Sequence, residues 1–374
     1  MALNDFLPFA TGAGANVENQ STYAADPSTA AGFSAGIAQS QKLNKVWRQS
    51  SFLTSGLAQF IANELNLDMI DDGDMAGYVA KLKRALLALN PRQVLYGNTS
   101  FYVNATTGND SYDGLTPTTP WRSLQHAASY LLDQVDSNGY TITVNIADGS
   151  YPGFIVAGNI LGLEGITGVD MLNFVGNTSN PANVVITDQV NNPSFDAGGI
   201  PMSIAVANMG RFQLMGCRIT STTGDCIRAL NYGRARLQNV DFSTCPGAHM
   251  ASSAHSHLRL YGNYSISGGA GYHAWSEYNG TFLAAPPSGT STITCTITGN
   301  PLFTTFAYAA RGSVQDWKWD DGTVTAGLTF AGTARGKRYF AKQAASINTY
   351  GLGATYLPGD VGGTVDAPTY GIYT

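Results

Sequence analysis

Charged side chains are scarce in this chain. Asp, Glu, Lys and Arg make up 12% of its 374 residues, about half the share found in ordinary globular proteins. The formal net charge is −5 and no block of Lys or Arg occurs. This leaves no electrostatic footprint for nucleic acid or an anionic membrane, and it argues against polyanion binding. Cysteine is confined to Cys217, Cys226, Cys245 and Cys295. No CxxC pair or metal spacing is present, so buried thiols are expected. No apolar run approaches the roughly 20 residues that cross a bilayer, and no membrane insertion is expected. Met1 to Ala10 has no basic segment, carries Asp5 and lacks a continuous apolar stretch, so it does not read as a secretory leader. Gly-rich phosphate loops and nucleophile elbows are also missing, and no cofactor is expected.

What is abundant is glycine, with 43 residues, together with Ser, Thr and Asn. That composition favours strands and turns over helices. The first ~90 residues differ, being Ala-rich and helical in period. Met1 to Phe33 reads as an irregular arm. Between Ile37 and Leu67, the residues Leu43, Val46, Leu53, Leu57 and Phe60 recur at alternating spacings of three and four, with Ser50 taking one position. Such spacing suits a short coiled-coil seam. Trp47, Phe52 and Ile61 widen the stripe, which equally suits a helix packed on its own neighbour. A second helix is expected from Asp74, an N-cap, through Val79, Leu82, Leu86 and Leu89, stopped by Asn90-Pro91. A strand at Phe101 to Asn104 follows, then Thr119-Pro120 as a helix start, with Leu124, Ala127, Leu131 and Val135 on one face. This helix is expected to cap a solenoid core.

An internal repeat dominates the rest. Segments starting at Ser203, Cys226, His249 and Tyr272 align without gaps at 23 residues (226−203, 249−226, 272−249). In this register Leu214, Leu237, Leu260 and Leu283 form one column, and Ile204, Ile227, Met250 and His273 another. Within a unit the pattern alternates, as in Arg211-Phe212-Gln213-Leu214, so every second residue points inward. A fifth unit fits from Gly280 to Gly312 if nine residues around Pro286-Pro287 are inserted, since 32 is 23 plus nine. Leucine-rich repeats need more Leu per unit and propeller blades are nearly twice as long. A mainly β chain built as a parallel β-helix is therefore expected. Earlier, less regular strands are placed at Thr141 to Ile146, Met171 to Val175 and Val184 to Thr187.

Three stretches resemble bacteriophage tail fibre and tailspike proteins. The head carries Phe9-Ala10-Thr11-Gly12-Ala13-Gly14-Ala15-Asn16 and Asn44-Lys45-Val46-Trp47-Arg48-Gln49-Ser50, similar to their attachment segments. The run Phe101-Tyr102-Val103-Asn104, Gly108-Asn109-Asp110, Asp113-Gly114-Leu115, Thr119-Pro120-Trp121 and Leu124-Gln125-His126-Ala127 is similar to the start of pectin-lyase-like β-helices on phage spikes. Gly336-Lys337-Arg338-Tyr339 and Tyr356-Leu357-Pro358-Gly359 are similar to the ends of tail fibre proteins. The resemblance implies a right-handed parallel β-helix and a homotrimer attached to baseplate or tail proteins through its N-terminal region. It also implies a virion-tail protein, made in the host cytoplasm, that acts extracellularly on a host cell-surface glycan or protein receptor. The expected division is 1–92 for an arm and helical attachment domain, 93–139 for a linker, strand and capping helix, 140–330 for the β-helix, and 331–374 for a C-terminal tip and trimerisation segment.

Many such spikes are glycan depolymerases, and glycoside hydrolysis needs two carboxylates roughly 5 to 9.5 Å apart. The four regular units contain only Asp225, Asp241 and Glu277, and no two share a column. Asp241 falls against Arg218, which favours an outward ion pair. Glu277 is the leading single acid, and Asp316 and Asp320, with Asp321 beside Trp317 and Trp319, form a second candidate. Alternation alone would send both tryptophans to one face. The histidines His249, His255, His257 and His273 do not converge in this register, since His249 and His273 fall in different columns and His255 and His257 on one side of a strand, so no zinc site is expected. His257 shares a column with Arg211 and Arg234, beside Arg236 and Arg259. That ladder suits anionic sugars or, preferably, a neighbouring subunit. Tyr232, Tyr261, Tyr264, Tyr272, Trp275, Tyr278 and Phe282 suit sugar recognition and interfaces alike. A non-enzymatic adhesin is the favoured expectation, with a depolymerase or a purely structural baseplate or collar element as alternatives.

Overall fold

A computed structural model describes residues 2–89, 92–162, 172–188, 201–286, 292–320 and 325–374. The side chains of residues 319, 320, 325 and 326 are not among those described. The chain divides into two compact units, Met1–Arg92 and Gln93–Thr374.

The first unit is helical, with Ser40–Leu65 and Met75–Leu89 as its long elements. Asp74 begins the second of these, its Oδ1 accepting from the Gly77 amide at 3.0 Å. Asn90 and Pro91, the expected stop, lie outside the described residues. Ala58, Ile61 and Ala62 bury themselves with Met69 and Ala85, and Phe6, Phe60, Leu65, Tyr78 and Leu82 pack around them. The 3.5-period stripe lies beside this core. Leu53 stays 74% exposed, and Trp47, Phe52 and Leu57 are also exposed.

The second unit is mainly β. Ten strands, from Thr99–Val103 to Ile372–Tyr373, form a first sheet, and two further sheets of eight strands begin at Gly149–Tyr151 and near Phe154–Ala157. The chain visits the sheets in rotation: Arg211–Met215 in the first, Arg218–Ile219 in the second, Asp225–Ala229 in the third, then Arg234–Gln238 in the first again. Among the described residues pairing along the ladders is parallel, except for an antiparallel pair between Lys318–Asp320 and Thr325–Ala331. The arrangement is compatible with a parallel β-helix. Its ladders begin at Thr99, where Thr99 pairs with Ile142, and end at Ile372–Tyr373. The stacked region thus reaches beyond the 140–330 expected from the repeat, because the outer coils lack its period and keep only its hydrogen bonding.

Strand alternation builds the core. Ile142, Val144 and Ile146 are buried with half-buried Thr143 and Asn145 between them. Leu214, Leu237 and Leu260 stack through matched pairings. The fourth member of that column is Ala284, since Leu260 pairs with Ala284 and Leu283 pairs outward with Arg259. Likewise Met250 pairs with Ala274, leaving His273 one rung above His249. The constant 23-residue register therefore fails at its last step. Between the first and second sheets, Leu237 leads to Asp241 in four residues, but Leu260 leads to Ser265, its ladder partner, in five. The extra residue is absorbed at Tyr261 to Tyr264, and Tyr264 turns into the core. The fifth coil is displaced similarly, with Thr281 pairing with Val314, 33 residues on (314−281). Pro287, within its expected insertion, lies outside the described residues.

Turns from the third sheet to the first place two successive residues in the left-handed region, such as Asn231 (φ 46) and Tyr232 (φ 64). Gly233 follows because a Cβ there would lie 2.2 Å from the Val206 carbonyl oxygen. The helix Leu124–Gln134 is capped by Ser123, whose side chain accepts from the His126 amide at 3.1 Å. Thr119, the expected cap, instead donates its hydroxyl to Asp113 at 2.7 Å. Pro120 sits in the preceding loop, where Asn109 donates to its carbonyl.

Candidate functional site

The outward face of the third sheet carries a column read off the ladder pairings as Ala205, Arg228, Ala251, Trp275, Tyr308 and Phe340. Ala205 and Ala251 flank Arg228 on the first rungs, and the later rungs carry aromatic rings. Trp275 and Tyr308 lie nearly parallel at 7°, with centroids 6.4 Å apart. Tyr272 and Phe340 flank Tyr308 at 5.2 and 5.8 Å. All four rings are half-buried, with one side against the sheet. Cations line the column: Arg228 lies 4.8 Å over Trp275, Lys342 5.7 Å over Tyr308, and Lys337 5.3 Å over Phe340. Such contacts hold the rings in place and mark a polar border around an apolar surface. Asp225 anchors Arg228 through its Nε at 2.6 Å.

Glu277 stands at the rim of this surface. Its Oε1 accepts from the Tyr308 hydroxyl at 3.4 Å and its Oε2 from Arg311 at 3.2 Å. Burial, followed by the Glu277 charge, pushes the Tyr308 phenol up to about 12, so the ring stays neutral and keeps its proton as a donor. Beside it runs a ridge formed by the left-handed turns. Tyr232 stacks on His255 at 5.2 Å, and Arg311 lies 4.3 Å over Tyr278. His255 is exposed in a turn at φ 61, not on the strand face shared with His257 that the sequence suggests.

Trp275, Tyr278 and Glu277 are thus brought together, joined by Tyr308, Phe340 and Arg311. These last three escape a 23-residue period because they follow longer coils. Trp317 is placed elsewhere: it is fully buried, 4.6 Å from Phe282 and 5.7 Å from Phe306, and is a core residue, not a sugar platform. Phe282 and Tyr264 are buried too. Asp316 faces outward in the first sheet, accepts from Asn348 at 2.6 Å, and has its pKa raised by burial. It shares no face with the Trp317 ring. The side chains of Trp319 and Asp320, and all of Asp321, lie outside the described residues. The expected outward pair of Arg218 and Asp241 is present at 2.6 Å.

His249 and His273 occupy adjacent rungs of one core column and meet edge to face, contrary to the expectation of separate columns. Their Nδ1 atoms are 3.0 Å apart, and the Tyr264 hydroxyl lies 3.1 Å from His273 Nε2. One imidazole donates and the other accepts, which requires at least one to be neutral. Burial drives both pKa values down, that of His249 to about 3. No group of three or more His, Cys, Asp or Glu able to hold a metal occurs among the described residues.

On the first sheet, Arg211 pairs with Arg234 and Arg234 with His257, while Arg236 pairs with Arg259. Four arginines drawn from three strands therefore form one cationic face, although no basic block exists in the sequence. Arg236 and Arg259 lie over the Tyr261 ring at 4.6 and 4.9 Å. No helix among the described residues is long and apolar enough to cross a membrane. No protein-family model matches this chain, and no curated protein matches it in sequence.

Proposed function

We propose that this chain is a glycan-binding adhesin whose stacked coils present the Trp275, Tyr308 and Phe340 column to a cell-surface polysaccharide. The observation that carries this reading is a continuous, half-exposed aromatic surface on the outer face of a rigid parallel sheet, bordered by hydrogen-bonding groups. Sugar rings have apolar faces that stack on such side chains while their hydroxyls reach the polar rim. Successive strands hold the rings in a row, with centroids 6.4 and 5.8 Å apart, so the site is preorganised for an extended chain. With the resemblances at both ends of the sequence, the reading places the chain in a bacteriophage tail fibre or tailspike. That protein would be a right-handed, pectin-lyase-like β-helix and a homotrimer, joined to the tail through the helical N-terminal unit. The uncovered stripe of Leu53, Leu57, Phe52 and Trp47 supports association of that unit with other chains.

The test is binding of the purified protein to host cells and to their extracted polysaccharide, with Trp275→Ala as control. Loss of binding in the variant is expected; undiminished binding would remove the aromatic column from the reading.

A depolymerase of the same fold is favoured by Glu277 standing beside the platform. Its two oxygens are engaged by Tyr308 and Arg311, which suits a positioning role. Sustained release of new reducing ends or unsaturated products from the polysaccharide would establish the enzyme instead.

A further inference from the structure

Within the regular coils, outward Arg218 on the second sheet is answered by Asp241, and outward Arg228 on the third by Asp225. Arg211 and Arg234, in the same coils on the first sheet, have no such acid among the described residues. Arg211, Arg234 and His257 occupy three successive rungs of one outward column. His257 Nε2 is buried and lacks a hydrogen-bond partner. Like charges directly opposite on adjacent strands are destabilising, so this column carries a cost that its own sheet does not relieve.

The neighbouring column forms a fixed wall. Arg259 donates to the carbonyl oxygens of Ala285 and Pro286 at 2.9 and 3.3 Å, and with Arg236 it lies over the Tyr261 ring. Positive charge therefore faces the column from the side as well as along it. Burial, then Arg234, Arg259 and Arg236, hold the His257 pKa down to about 4.

We propose that Arg211, Arg234 and His257 form a binding site for the oxyanion groups of an acidic polysaccharide. The guanidinium fork matches carboxylate and sulfate oxygens in pairs, and rungs ~4.8 Å apart repeat that match along an extended polymer. His257 supplies a further nitrogen at the far rung. This site deepens the glycan-binding reading and rests on it, adding charge as a second determinant on a different sheet from the aromatic column.

The full chain, with ring-labelled histidine, is titrated with polygalacturonate oligomers, heparin-derived oligomers, neutral dextran and a single-stranded DNA of matched charge. His257→Gln identifies the resonance. Saturation with an acidic oligomer is expected to raise the His257 pKa by a unit or more, and Arg234→Gln to weaken binding roughly 10-fold or more without altering the fold, since Arg234 is exposed. The carboxylated and sulfated arms separate the two oxyanions. Preferential binding of the DNA overturns the polysaccharide assignment. An acidic oligomer that leaves His257 unmoved, or that binds Arg234→Gln unchanged, overturns the site. If only neutral glycan binds, and Trp275→Ala abolishes it, this site fails and the aromatic reading stands; if no glycan binds, both fail.

Discussion

Arg228 and Trp275 meet across Ala251: they lie two rungs apart on the third sheet, yet the guanidinium carbon is 4.8 Å from the indole ring centroid. The contact exists because the rung between them carries only a methyl group. Ala251 is fully buried at that position. With Asp225 holding the arginine, the tryptophan is fixed against the sheet with its outer surface available. Replacing Trp275 by Ala is expected to weaken binding to host polysaccharide at least ~10-fold, or about 1.4 kcal/mol. Replacing Ala251 by Leu separates the pair and is expected to weaken binding as well. Isothermal titration of both variants, with thermal melts to confirm folding, reads the result.

The shifted register gives leucines of similar sequence context different fates. Leu237 is fully buried in its column, whereas Leu283 is half-buried on the outer face beside Arg259. Leu237→Ala is expected to cost about 2 to 5 kcal/mol, and Leu283→Ala about 1 kcal/mol or less. Equal losses in denaturant titrations would restore the uniform 23-residue register.

Buried imidazoles make stability depend on pH. The folded pKa of His249 is about 3 against an ordinary 6.5, and that of His273 is also depressed. Between these values the unfolded chain binds more protons. The contribution is therefore complete above pH ~6.5 and is lost as pH falls towards the folded values, by up to ~1.4 kcal/mol per unit for each imidazole. The raised pKa of Asp225 works in the opposite direction in more acidic solution. His249→Phe, which keeps an aromatic ring between Phe242 and Phe303, is expected to flatten the decline between pH 6.5 and 4.5. A variant with the same slope as the parent would contradict this.

All four thiols are buried and free. Burial pushes Cys217 and Cys295 up to about 12 and also raises Cys226 well above the usual thiol value. Since the thiolate is the reactive form, a disulfide reagent at pH 8 is expected to label no cysteine in the native protein and all four after denaturation. Prompt labelling of the folded chain would show that the core opens.

In the helical unit, Leu53 is 74% exposed, so Leu53→Lys is expected to change the stability of a single chain by no more than ~0.5 kcal/mol. If the stripe joins the proposed trimer, the same change lowers the sedimenting mass towards that of one chain at micromolar concentration. An unaltered mass would assign association to another part of the molecule.

The helical start, the alternating strands and the outward cationic ladder were legible in the sequence because each depends on short-range periodicity. Arg218 meets Asp241 because both lie in coils of equal length, where a constant period is enough. The aromatic column was not legible. Trp275, Tyr308 and Phe340 are separated by 33 and 32 residues (308−275, 340−308), and they align only because the ladder pairs them.

By itself, then, the sequence determined which residues alternate, which face inward over the regular coils, and where helix yields to strand. Tertiary structure alone decided which rung each later residue joins. The physical reason is that interstrand hydrogen bonds and inward packing set the register on the sheets, while extra residues are taken up in turns at little cost. One such residue between Leu260 and Ser265 moved Leu283 outward and brought His273 onto His249.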